Sequence, residues 1–267
     1  MSDATEPTHS RPPTLPANWI RRGVYLLLAV YAAYALTTLD VTFDRFVRGL
    51  GQGGRFLARM WPPNLEASRL ELLGQGMLES IQIAILATAA GVALSLPLGL
   101  VAARNLMPPV VAWLGRGMIA LCRSFHPVIV AILFVKAVGF GALAGILALV
   151  IASMGFVSKL FAEAIEELNF AQMEAVRATG ASFWGVLAMG VLPQVMARFI
   201  GFSAYQFDSN LRNSTMVGIV GGGGIGAALF TAYQRFDYDF VLTILLAIIA
   251  VVMVAEAVSM WLRRIFQ

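Results

Sequence analysis

Apolar residues along this chain come in long blocks separated by short polar or glycine-containing breaks. Residues 24–39, VYLLLAVYAAYALTTL, follow Arg21 and Arg22. Met77–Ala103 reads MLESIQIAILATAAGVALSLPLGLVAA and is closed by Arg104-Asn105; it is long enough to cross a hydrocarbon core of roughly 30 Å. A shorter stretch with Arg116 and Arg123 follows, then Pro127–Val138 and Gly141–Phe161 on either side of the turn-like VGFG. After Pro193 an apolar run reaches about Phe207, and a last block extends from Phe240 to Leu262 ahead of Arg263-Arg264. The pattern predicts an all-α integral membrane protein with about six transmembrane helices. Its many small residues suit helix contact in lipid, where van der Waals fit replaces hydrophobic drive.

Three intervals read differently. Residues 1–18 are polar and proline-rich, which predicts a disordered cytoplasmic tail running up to the first span. The basic start and Ala33-Tyr34-Ala35 imitate a cleavable signal peptide, but in so hydrophobic a chain residues 24–39 are read as an uncleaved first span. In 40–76, Phe43, Phe46, Val47 and Leu50 recur at helical spacing with Arg45 and Arg48 opposite; Gly51-Gln-Gly-Gly interrupts before Leu57, Met60 and Trp61 resume. That predicts an extracytoplasmic amphipathic helix in the membrane interface, or equally a surface helix in a loop. The third interval, 162–193, lies within the membrane domain 77–264 and reads AEAIEELNFAQMEAVRATGASFWGVLAMGVLP. It predicts a helix, a glycine break and a second helix. Ala171, Ala175 and Ala178 set small side chains on one side, and Glu174 and Arg177 are spaced to pair across a turn. Gly180 supplies a stop, Ser182 an N-cap and Pro193 the start of the next span. Such a unit can slot into a groove on a partner or merely connect two spans; the pattern leaves both open.

Composition removes whole classes of function. The 267 residues are 59% hydrophobic and 13% charged, with mean hydropathy +0.78, against about 25% charged in a soluble domain. One cysteine, Cys122, excludes an intrachain disulfide framework, and His9 and His126 leave no histidine cluster for a metal. His126, between Phe125 and Pro127, reads as a helix-boundary residue. No span pairs residues suited to acid–base or nucleophilic chemistry, so no catalytic residue is assigned. The net charge of +4 is spread between apolar blocks, which fits lipid headgroups and not nucleic acid. With a cytoplasmic N-terminus, eleven Lys and Arg fall inside and eight outside, a slight positive-inside bias that the arginines of 40–76 oppose.

Residues 216–230, MVGIVGGGGIGAALF, match G-x-G-x-x-G through Gly221, Gly223 and Gly226. A nucleotide loop needs more. A phosphate-binding loop of the Walker type has Lys and Ser/Thr after its last glycine, where this chain has Ala227-Ala228. A dinucleotide fold has an acid about twenty residues on, where Val241–Ala247 offers only apolar residues and a threonine. Gly221, Gly223, Gly224 and Gly226 are therefore read as glycines that let backbones approach where helices cross, and no cofactor is assigned to this chain.

Glu174-Ala175, Gly180 six residues after the glutamate and Leu192-Pro193 twelve beyond the glycine resemble the E-A-A…G…L-P loop of ABC importer permeases. Val176 stands for the family's second alanine and Gly190 where an isoleucine is usual. Residues 79–105, 123–141, 210–229 and YQRFDYDF at 233–240 resemble the phosphonate-importer permeases in particular. The resemblance implies a type I importer permease of the bacterial inner membrane, with both termini cytoplasmic. The 162–193 loop would be a cytoplasmic coupling helix–turn–helix, with Glu174, Ala175, Arg177, Gly180, Leu192 and Pro193 docking an ATPase. Its partners would be a second copy of itself, two ATPase subunits and a periplasmic binding protein. Its ligands would be phosphonate, phosphite or hypophosphite. A methionine-type permease is the nearest alternative within this class, and an ATP-independent transporter or channel the alternative outside it.

The polar patch after Phe199–Gly201 supplies the substrate candidates. Ionisable groups at membrane depth are costly and face a cavity or a partner. Arg212, with Asn213, Ser214 and nearby amides, is read as an oxyanion attractor, because a guanidinium fork matches phosphate-like oxygens. Asp208 lies four residues before it, so the two can also form a self-neutralising structural pair.

Overall fold

A computed structural model of the chain describes residues 19–39 and 42–266. The expected disordered tail over 1–18 lies outside the described residues. Every regular element among the described residues is a helix.

The first of two compact units ends at Ala58. It holds α1 (Trp19–Thr38) and most of α2 (Phe43–Met60). Helix α1 is 20 residues long, about 30 Å, and leaves Val24, Leu27 and Tyr31 exposed, as a helix in lipid would. The interruption expected at Gly51–Gly54 is absent, and α2 runs through it. Interior glycines cost a helix only about 1 kcal/mol each, and the apolar face of Phe43, Phe46, Val47, Leu50 and Leu57 keeps its register across them. Asp44 and Arg48 add an i,i+4 ion pair at 2.7 Å.

The second unit starts at Arg59. Its long helices are α3 (Ala67–Ala102), α6 (Ala142–Glu166), α9 (Leu192–Ile219) and α11 (Tyr238–Phe266). Between them come α4 (Pro109–Arg123), α5 (Pro127–Val138), α7 (Phe170–Ala178), the short α8 (Phe183–Val186) and α10 (Ile225–Gln234). Four helical stretches among the described residues are each long and apolar enough to cross a membrane, counting Phe183–Ile219 as one. Helices α4 and α5, bent by 84° at Ser124–His126, make a broken fifth, and α1 with α2 raises the number to six. His126 caps α5, its Nδ1 accepting the Val128 N–H at 3.4 Å.

Helix α6 packs on α3, α4, α5 and α9. The closest pair is set by small residues: a Cβ at Gly91 would overlap Ser153, and one at Gly99 would lie 2.7 Å from Phe161. Two apolar clusters follow. One joins Phe161, Ile165, Met173, Val191 and Val195 near α7; the other joins Ile83, Ala87, Leu149 and Val217 toward the opposite end. Helix α10, placed between the glycine run and the last span, has no counterpart in the sequence reading.

Candidate functional site

The α6–α9 connection starts from Asn169, whose Oδ1 accepts the Ala171 N–H at 3.0 Å and caps α7. Met173, 1% exposed, and half-buried Val176 seat α7 on the core. Ala171, Glu174, Ala175, Arg177 and Ala178 stay exposed. No ion pair joins Glu174 to Arg177 among the described residues, so both charges are presented outward. Gly180 ends the helix with φ +83° and open space beside it; backbone conformation, not room, selects glycine there. Ser182 caps α8 by accepting the Gly185 N–H at 3.4 Å.

Pro193 lies in the first turn of α9, as the sequence reading has it, but no break precedes it. Helix α8 continues through a π-helical turn, Leu187–Val191, into α9, so Phe183–Ile219 is one stretch. A proline ring clashes with the carbonyl four residues back in a regular helix, and the wider turn takes up that conflict. The Gln194 side-chain amide donates to the Gly190 carbonyl within it. Leu192 is half-buried against the core and Pro193 is exposed. The two departures from the E-A-A pattern touch each other: a Cβ at Gly190 would lie 3.6 Å from Val176 Cγ2.

Charged groups tie down both ends of the connection. Glu166 accepts from Arg116 Nη2 at 2.6 and 2.7 Å and from the Arg104 N–H at 2.7 Å. Glu167 pairs with Arg198 at 2.7 Å. Sequence reading missed Glu166 because its partners lie about 50 and 62 residues away.

On α9 the polar patch divides by face. Asp208 and Arg212 pair at 2.7 Å, with side chains 9% and 44% exposed. Asp208 Oδ1 is buried without a partner. Asn213 donates to Ser209 at 3.3 Å. Ser214 is buried and its hydroxyl donates to the Leu211 carbonyl, so it does not share the open face of Arg212. Gln206 and Asn210 point the other way. Asn210, fully buried, donates to Thr88 at 2.9 Å and Ser153 at 2.8 Å, and Gln206 donates to Ser153 and Asn210 at 3.0 Å. This network joins α3, α6 and α9, and hydrogen bonds between helices in lipid average about 0.6 kcal/mol. The i,i+4 pair Gln206/Asn210, offset from Asp208/Arg212 around the helix, was the signal for it.

The glycine run forms a tight turn. Gly221, Gly223 and Gly224 have φ of +99°, +79° and +74°. The Gly221 carbonyl accepts the Gly141 N–H at 2.9 Å, and Ser80 Oγ accepts the Ile225 N–H at 2.9 Å. A Cβ would overlap the Thr215 carbonyl at Gly226, Phe140 at Gly221, and Ser80 Oγ at Gly224; at Gly223 it would lie 2.7 Å from Glu79 Oε1. Three of these contacts are with other helices or their loops, at spacings that only glycine tolerates.

The family model described as "binding-protein-dependent transport system inner membrane component" matches residues 95–267. The phosphite transport system permease protein PtxC of Stutzerimonas stutzeri is 39% identical over 246 residues, 92% of this chain and 86% of that protein. The phosphate-import permease protein PhnE of Mycolicibacterium smegmatis is 42% identical over 206 residues, 77% of this chain, although the chain spans only 38% of that relative's length. Among solved structures, a chain of the MetNI methionine ABC transporter in an inward-facing conformation superposes with TM-score 0.68 at 21% identity, covering 76% of this chain and 100% of that one. At that identity the shared property is the fold.

Proposed function

Because the chain belongs to the binding-protein-dependent transport system inner membrane component family, we propose that it is the permease of an ATP-driven importer for a small phosphorus oxyanion. Phosphonate, phosphite and hypophosphite make up that class. The observation that carries the ligand class is the 39% identity to a phosphite permease over 92% of this chain; the methionine transporter shares the fold at 21%.

In this reading the chain sits in the bacterial inner membrane with both termini in the cytoplasm, and a second copy completes the pathway. Helix α7 is the coupling surface. Its outward alanines let an ATPase cleft approach closely, Glu174 and Arg177 give polar anchors, and Met173 beneath transmits displacement to the core. ATP is hydrolysed by two separate subunits, and a periplasmic binding protein delivers the ligand at the opposite end. Arg212 attracts the oxyanion. Its exposed guanidinium keeps donors beyond the one given to Asp208.

The test is reconstitution of the chain with its ATPase and binding protein in liposomes. Phosphite or a phosphonate should drive ATP-dependent uptake that methionine does not compete with. Methionine-driven uptake, or uptake without the ATPase, overturns the reading. The purified chain alone should neither bind nor hydrolyse ATP.

A further inference from the structure

Where α4 crosses α6, a cleft of about 160 Å³ is lined by Arg116, Arg123, Lys159 and Glu163 over an apolar floor of Ile119 and Ala162. A single water needs only about 10–15 Å³ of such space, so a tetrahedral anion has room. The three cations are held differently. Arg116 is fixed by Glu166 and by the Ala102 carbonyl, which its Nε reaches at 3.2 Å. Lys159 stands 3.5 Å from Glu163, a loose contact. Arg123 has no ion pair among the described residues. Three cations against Glu163 and Glu166 leave one positive charge uncompensated.

That charge is exposed at its head, while its stem lies against α6. The Arg123 Cγ would meet a Cβ on Gly155 at 2.9 Å, so a glycine in α6 lets the arginine stem lie close and fixes where its guanidinium emerges. An uncompensated cation on the surface of a membrane domain attracts an anion. One turn before Arg116, on the cleft side of α4, Trp113 is 73% exposed. A basic recess beside an exposed tryptophan suits a phosphoryl group at the membrane interface.

We propose that this cleft binds a phosphoryl group, carried by an anionic phospholipid or by free phosphate. The Arg123 guanidinium fork matches its oxygens in two-point geometry, Arg116 has Nη1 beyond its bonds to Glu166 and Ala102, and Lys159 adds a point charge that leaves Glu163 for it. Nothing in this assignment uses Arg212, and it stands whether or not the chain imports phosphorus compounds.

The test compares the permease–ATPase complex with Arg123→Gln/Lys159→Gln. A control, Lys136→Gln/Arg235→Gln, removes the same charge from residues outside the cleft. One arm adds cardiolipin to delipidated complex and counts bound lipid by native mass spectrometry. The other measures radiolabelled inorganic phosphate by equilibrium dialysis in lipid-free detergent. The cleft variant should lose affinity about tenfold, or ~1.4 kcal/mol, in one arm while the control stays at the wild-type value. The arm that responds names the source. Arg123→Lys, which keeps charge but not the fork, should lose less. If the double variant does not assemble, Lys159→Gln alone is read in the same two arms, since that side chain is 44% exposed and tolerates change. Equal affinities for wild type and cleft variant in both arms overturn the proposal.

Discussion

The two ends of the second unit are closed by opposite means. At the glycine turn, backbones meet without side chains between them: Gly141 bonds to Gly221, Ser80 to Ile225, and Gly226 lies against Thr215. At the α7 end, long side chains span the gaps: Arg116 to Glu166, Arg198 to Glu167 and Met173 into the core. The first closure has no slack, because a backbone cannot change rotamer. The second consists of parts that rotate and re-pair, and its ion pairs are half-exposed, so each is worth about 0–1 kcal/mol. One end is held by backbone contacts; the other is held by side chains, which have rotamers to change.

The sharpest break of that contrast is Gly226→Ala. Its methyl would overlap the Thr215 carbonyl, and overpacking against an atom that cannot yield costs about 3 kcal/mol or more. We expect loss of properly assembled permease, read as aggregation in fluorescence-detected size-exclusion. A well-folded Gly226→Ala protein would show that the turn does have slack.

Arg212 lies between the two closures and tests whether the middle of α9 belongs to the structure or to transport. Arg212→Gln should abolish uptake while expression and ATPase assembly stay near normal, and Arg212→Lys should restore it only in part. Recovery of transport by Asp208→Asn together with Arg212→Gln would make the 2.7 Å pair structural and end its substrate role.

At the α7 end, Glu174→Lys should leave the fold intact, because Glu174 is exposed and makes no ion pair among the described residues. Co-purification with the ATPase should fall about tenfold, or ~1.4 kcal/mol. Gly180→Leu should act similarly by opposing a left-handed backbone. Undiminished co-purification and transport in both variants would remove α7 from coupling.

The mildest effect is expected where the E-A-A pattern is altered. Gly190→Ile should destabilise by about 1–3 kcal/mol through collision with Val176. Val176→Ala on the same chain should recover most of that loss in thermal unfolding. If the two changes add without recovery, the contact is not a compensating pair.

The spans were legible because hydropathy in long blocks needs no knowledge of partners. The VGFG turn was legible too, and Val138 and Ala142 bound it as the sequence suggests. Gly51–Gly54 and Pro193 misled. The glycines were taken as an interruption and Pro193 as the start of a span, yet one helix runs through the glycines and a π turn joins α8 to α9 with no break before the proline. Helix α10 was hidden because IGAALFTAYQ merges with the glycine run before it. Of the Asn210 network only the Gln206 pairing lay within one block; Thr88 and Ser153, like the Glu166 partner of Arg116, sit in other blocks and only folding brings them together.

The π turn at Leu187–Val191 has one more effect. It fits one residue more into its ring than an α turn holds, and each residue of an α-helix turns the chain by about 100°. Rewinding the stretch as plain α-helix with every residue kept would swing everything beyond it by about that angle, a swing that deleting one residue would cancel. Asn210 would leave Thr88 and Ser153, and Arg212 would face a different quarter of the bundle. The angular phase of α9 is therefore set some twenty residues away from Arg212, beside α7.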